Sequence, residues 1–110
     1  MNVAINDMQA YLADRYCGWA TEQGMFLKLV EELGEVAEVI NKRAGIKPSD
    51  DEDLKEQLAS ELADMLHYIV AIAGINNIDL EKAIIEKDRV SSLKYGHSSN
   101  LELYLKEKQK

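Results

Sequence analysis

Apolar residues recur every three or four positions through most of this chain, and the pattern breaks at only a few places. Met8, Tyr11, Leu12 and Tyr16 mark one side of a first helix over about Asp7 to Cys17. Gly18-Trp19-Ala20 forms a joint. A second helix starts near Thr21 or Glu22, with Thr21 as N-cap, and continues to about Arg43. Phe26, Leu29, Leu33, Val36, Ala37 and Ile40 form its apolar stripe, centred near the Leu33–Ile40 line. Gly45, Pro48 and a run of acids make a loop of Ala44 to Glu52. A third helix, capped by Ser49, Asp50 or Asp51, runs to about Ile75. Asn76-Asn77 ends it, Asp79 is an N-cap, and a fourth helix covers about Leu80 to Tyr95. His97-Ser-Ser-Asn is loop-like, and Leu101 to Lys108 forms a short terminal helix or a swapped arm. Short connections between long amphipathic helices imply antiparallel neighbours. The expected architecture is therefore all-α, an antiparallel four-helix bundle over 1–96 followed by a tail over 97–110.

The arc of apolar positions on the second and third helices is wide and includes Val30, Ala37, Val70, Ala71 and Ala73. A lone unit of this size would leave part of it exposed, so an oligomer is expected, most simply a homodimer or homotetramer.

Composition narrows the partners. The 110 residues suit one domain, and 46% hydrophobic with 30% charged residues is ordinary globular content. Thirteen basic against 20 acidic side chains give −7, which argues against binding nucleic acid through its phosphates. A polyanionic small molecule would be repelled too, unless metal ions reverse the local sign. Cys17 stands alone and rules out an internal disulfide framework. No signal-peptide pattern opens the chain, and the longest apolar run, Tyr68 to Ile75, is short of a spanning helix. The expectation is a soluble cytoplasmic protein without membrane attachment.

Four acids carry the chemistry. Glu32 and Glu35 read E-x-x-E, and Glu61 and Asp64 read E-x-x-D after a gap of 25 residues. At i, i+3 the carboxylates of a pair share one helix face. Glu32 falls at the edge of the apolar stripe, and Glu61 lies on the apolar side with Leu54, Met65 and Ile72. No basic residue stands three or four positions from Glu61. Carboxylates gathered without local cations repel one another unless a metal joins them. All-oxygen donors favour Mg²⁺, with Mn²⁺ also suited, over Zn²⁺. A di-iron centre would need two Glu-x-x-His motifs, and this chain has only Asp64-x-x-His67. His67 projects roughly opposite the apolar stripe and reads as an exposed or interface residue. For Glu38 the plain reading is a helix-face pair with Lys42.

The segments Leu29-Val-Glu-Glu-Leu-Gly-Glu-Val-Ala-Glu38, Glu61-Leu-Ala-Asp-Met-Leu-His-Tyr-Ile-Val-Ala71 and Asp79-Leu-Glu-Lys-Ala-Ile-Ile-Glu-Lys87, with Lys94-Tyr95, resemble the MazG-like all-α nucleotide pyrophosphohydrolases. The likeness covers roughly Tyr16 to Gly96. It implies hydrolysis of a nucleoside or deoxynucleoside triphosphate to the monophosphate and pyrophosphate, in a dimer or tetramer, with Mg²⁺ held by Glu32, Glu35, Glu61 and Asp64. It also implies phosphate and sugar contacts from Lys87, Lys94 and Tyr95, and puts Trp19 near the base, where dCTP-hydrolysing relatives carry a tryptophan. Ser91 stands where many relatives have Asn, and Lys42 where some have a second tryptophan, so the base stays open. A phosphoribosyl-nucleotide substrate and a non-catalytic helical interaction module are the alternatives.

Overall fold

A computed structural model describes residues 1–46 and 53–110. Every element among them is helical: α1 (Ile5–Tyr16), α2 (Glu22–Arg43), α3 (Leu54–Ile75), α4 (Leu80–Lys94) and α5 (Leu101–Lys108). The architecture is all-α, as the periodicity predicts. The terminal segment is a true helix.

Local chemistry sets the ends. Thr21, Asp53, Asp79 and Asn100 each accept a hydrogen bond from the backbone N–H three residues on, at 2.9 to 3.0 Å. The cap of α3 is thus Asp53, whereas Ser49, Asp50 and Asp51 lie outside the described residues. Three C-termini share one closure. Ile46 N–H donates to Asn41 O, Ile78 N–H to Ala73 O and His97 N–H to Ser92 O. In each, the preceding residue (Gly45, Asn77 or Gly96) has positive φ, the left-handed turn that ends a helix while satisfying its last carbonyls. The first helix begins at Ile5, two residues before the expected start, because the Ala4 carbonyl already accepts the Met8 N–H.

α2 and α3 run antiparallel. The Asn76 side chain at the end of α3 donates to Glu22 at the start of α2, at 3.0 Å. α1 lies along the other side of α3, where Gly74 lets Ala13 and the Gln9 carbonyl approach closely. Leu12, Tyr16, Met25, Val70 and Ala71 form the shared core, with Leu12 and Val70 fully enclosed. The Gln9 side chain joins both the Ile78 carbonyl and the Leu80 N–H, and so seats the start of α4 on α1. α4 then leads to α5, which folds back where the Asp88 carboxylate accepts the Leu101 N–H at 2.6 Å.

The structure corrects which face of α2 is inside. Met25, Val36 and Val39 are buried, with Leu29 and Glu32 half-buried between them. Phe26, Leu33, Ala37 and Ile40, placed in the expected stripe, are exposed, as is Val30. α2 therefore carries two apolar faces roughly 100° apart by helical geometry, and α3 covers only one. In α3 the opposite holds: Val70, Ala71 and Ala73, expected to contribute to surplus surface, are buried, because α3 is packed on two sides.

By length and composition alone α3 passes for a membrane-crossing helix, which the short run Tyr68 to Ile75 did not suggest. It also carries Glu61 and Asp64 and is the helix that both α1 and α2 pack against.

Candidate metal centre and its surroundings

The antiparallel pairing of α2 and α3 brings the two acidic motifs to one height. Glu32 sits within the α3-facing stripe of α2 rather than at its edge, because that stripe is the Met25–Val36–Val39 one. One carboxylate oxygen each from Glu32, Glu61 and Asp64 lies within 4.8 Å of the others. Glu35, one turn on and exposed, reaches Glu61.

Electrostatics make this arrangement costly as it stands. Oε2 of Glu32 and Oε2 of Glu61 are cut off from solvent with no hydrogen-bond partner. Hydrogen bonding with Glu35 and then Glu32, followed by burial and by repulsion from both acids, pushes the Glu61 carboxyl up to about 7. A hard divalent cation would answer both problems, since it takes oxygen donors and neutralises clustered carboxylates. The residues fit such an ion by donor type, spacing and unmet valence.

The remaining predicted residues fall elsewhere. Lys87 and Lys94 with Val90, Ser91 and Tyr95 line a shallow cleft on α4, where the Lys94 ammonium lies 5.5 Å from the Tyr95 ring centroid. None of the clustered acids lines that cleft. Trp19 is exposed in the α1–α2 joint. Its indole N–H donates to the Arg15 carbonyl at 3.0 Å, and its ring tilts against Tyr16 at 5.3 Å.

Sequence reasoning missed an aromatic group beside the acids. His67 is half-buried at the α1–α3 contact, with Nε2 2.6 Å from the Tyr16 hydroxyl. Its ring meets Tyr16 edge-on at 5.7 Å and Tyr68 at 4.9 Å. Burial raises the Tyr68 phenol above its ordinary value; Tyr16, Glu32 and Asp64 add to the rise and Lys28 opposes it. Tyr68 packs on His67 and lies one helical turn beyond Asp64 on α3. The available signal was the polar edge of His67 within the apolar half of α3, one turn past Asp64.

Residues 20–89 match the MazG nucleotide pyrophosphohydrolase domain. The chain is 36% identical over 84 residues to the uncharacterized protein YpjD of Bacillus subtilis, covering 72% of this chain and 75% of that protein. It is 34% identical over 76 residues to dCTP pyrophosphatase 1 of Rattus norvegicus, covering 66% of this chain but only 45% of the relative. The chain thus spans less than half the length of that enzyme. Among solved structures, iMazG from Vibrio DAT 722 superposes with a TM-score of 0.62 at 30% identity, over 84% of this chain and 98% of that one. The matched region contains α2, α3 and both acidic motifs, and the chain belongs to the MazG nucleotide pyrophosphohydrolase family.

Proposed function

We propose that this protein hydrolyses a nucleoside or deoxynucleoside triphosphate to the monophosphate and pyrophosphate, as a house-cleaning activity on the nucleotide pool. The observation that carries the reading is the pair of enclosed, partnerless oxygens on Glu32 and Glu61, with Asp64 within 4.8 Å. Glu32, Glu35, Glu61 and Asp64 would hold Mg²⁺, or Mn²⁺ in its place. Such an ion supplies the positive charge that a triphosphate needs beside a protein of net charge −7, and it acidifies a neighbouring water.

The chain's own groups then divide the work. Water attacks the α-phosphorus, the bond to the bridging oxygen breaks, and pyrophosphate leaves with that oxygen. Of the four ligands, Glu35 is the one best placed to take the water's proton as well: it is exposed, adjoins Glu61, and stands at the margin of the tight three-oxygen set, which leaves it an oxygen to spare. Glu31 is already paired with Lys28 at 3.4 Å. Lys87 and Lys94 stabilise the departing pyrophosphate, Tyr95 meets the sugar, and Trp19 offers the base a flat surface. The rat and mouse relatives named as dCTP pyrophosphatases favour a pyrimidine deoxynucleotide.

The acids lie on α2 and α3 and the lysines in a separate cleft on α4, which favours a site completed by a second copy in a homodimer or homotetramer. The reading places the protein in the cytoplasm, where nucleoside triphosphates are abundant, and requires neither nucleic acid nor membrane. Product chromatography decides the central point. Monophosphate and pyrophosphate, without free phosphate, are expected from dCTP or another triphosphate with Mg²⁺. Diphosphate plus free phosphate would mean a different reaction, and no turnover of any nucleotide would remove the enzymatic reading.

A further inference from the structure

A line of side chains leads from Trp19 to the turn of α3 that follows Asp64. The Trp19 ring rests on Tyr16, the Tyr16 hydroxyl meets His67 Nε2 at 2.6 Å, and the His67 ring stands edge-on to Tyr68. His67 and Tyr68 follow Asp64 by three and four residues, on the turn of α3 next to the acids. The line has a single polar link between α1 and α3, the Tyr16–His67 hydrogen bond. Tyr16 is only 7% exposed, so its hydroxyl is held at that contact. Trp19, by contrast, is 67% exposed, and its own anchors are the Arg15 carbonyl one turn back and the Tyr16 ring. Gly18, at φ +80, frees the joint just before it. An exposed indole beyond a glycine stays in one orientation only if the surface beneath it is fixed.

We infer that Tyr16 and His67 are a positioning pair, which fixes Trp19 as a base platform by tying it through α1 to the helix that carries Glu61 and Asp64. The inference rests on the reading of Trp19 as a base contact. Neither residue touches the substrate. The hydrogen bond locks the Tyr16 ring, the ring locks the indole, and the base is thereby presented with its α-phosphate at the metal centre. Edge-to-face packing of His67 on Tyr68 ties the same pair to the residue one helical turn beyond Asp64. Losing the link therefore loosens binding of the base and leaves the chemistry at phosphorus intact.

Trp19 is the chain's only tryptophan, so its fluorescence reports the platform without interference. The test compares Tyr16→Phe, His67→Leu and His67→Gln with the parent protein; Tyr16→Phe keeps the buried ring, and His67→Gln keeps a polar atom near the position of Nε2. In the parent without nucleotide, time-resolved anisotropy of Trp19 should follow overall tumbling. A fast local component should appear in Tyr16→Phe and His67→Leu and be largely suppressed in His67→Gln. Under turnover with dCTP and Mg²⁺, KM should rise about fivefold in the first two variants, the scale of one net hydrogen bond, with kcat within about twofold. The Mg²⁺ concentration that half-stabilises the fold should stay unchanged, because the acids are untouched. Unchanged Trp19 anisotropy in Tyr16→Phe overturns the positioning pair. So does a loosened indole with unaltered KM, or a fall in kcat matched by weaker Mg²⁺ stabilisation. If the parent turns over no nucleotide, the catalytic reading fails together with the platform's purpose, and anisotropy still reports separately whether the pair fixes the indole.

Discussion

Oε2 of Glu32 and Oε2 of Glu61 are both buried between α2 and α3, and neither has a hydrogen-bond partner. Two helices packed for their apolar residues thus trap acids that oppose the packing. The Glu61 carboxyl is pushed up from 4.5 to about 7 by hydrogen bonding with Glu35 and Glu32, which a proton on Glu61 permits, and then by burial and repulsion from both acids. A raised carboxyl pKa means that the folded state binds the proton more tightly than the unfolded chain. The associated stability is complete below about 4.5 and is lost as pH rises through about 7. In EDTA, Tm should therefore fall between about pH 5 and about pH 8, over the interval set by that shift. Added Mg²⁺ should reverse the fall and release a proton on binding, so its affinity should weaken below neutral pH. Thermal melts and calorimetry in buffers of different ionisation heat measure both, and a flat metal-free profile would contradict the assignment of Glu61.

Replacing Glu61 by Gln should separate stability from function. At pH 8 in EDTA the variant should melt above the parent, because one repelling charge is gone, whereas near pH 5 the two should converge. Turnover with Mg²⁺ should drop about 100-fold or more, since even indirect perturbation of a metal site costs 10- to 100-fold in affinity or activity. Near-parental turnover would remove Glu61 from the metal site.

The second apolar face of α2 predicts association. The chain exposes 8474 Å², against about 6,100 Å² for a compact monomer of 12.4 kDa. Its radius of gyration is 17.0 Å where a compact chain of this length gives about 13 Å. An excess of roughly 2,300 Å² per chain falls in the range of obligate interfaces. Light scattering should give a dimer or tetramer at micromolar concentration, and Leu33→Glu, which puts a charge on the exposed face, should shift it toward monomer. A monomeric parent protein would refute this.

At the α1–α3 contact, a Cβ on Gly74 would stand 3.2 Å from both Ala13 Cβ and the Gln9 carbonyl oxygen. Alanine there gains about 1 kcal/mol of helix propensity but overpacks against backbone, which typically costs about 1–3 kcal/mol. Gly74→Ala should destabilise the fold by about 1 kcal/mol net in chemical denaturation. It should also loosen the seating of Tyr16 on His67. A stabilised variant would mean that α1 can shift freely.

Much of the fold was legible because it is local. Period 3.6 marks the helices, and Thr21, Asp79 and Asn77 mark ends, since a cap or a left-handed turn acts on backbone within a few residues. The acid pairs were legible for the same reason, as i, i+3 spacing fixes a shared face. The stripe of α2 was misplaced because the helix has two apolar faces, and sequence cannot say which one its own chain covers. His67 was set aside because nothing local reveals that α1 lies against its side of α3.

The sequence by itself determined that the chain is helical, where its helices stop, and that four acids lie in two face-sharing pairs, because these follow from backbone hydrogen bonding and residue spacing. Only the tertiary structure decided that Glu32 and Glu61 are enclosed together, that Trp19 stands exposed on Tyr16, and that His67 bonds to α1. Burial and cross-helix distance depend on which faces meet, and that choice is made by the sum of packing over all the helices at once.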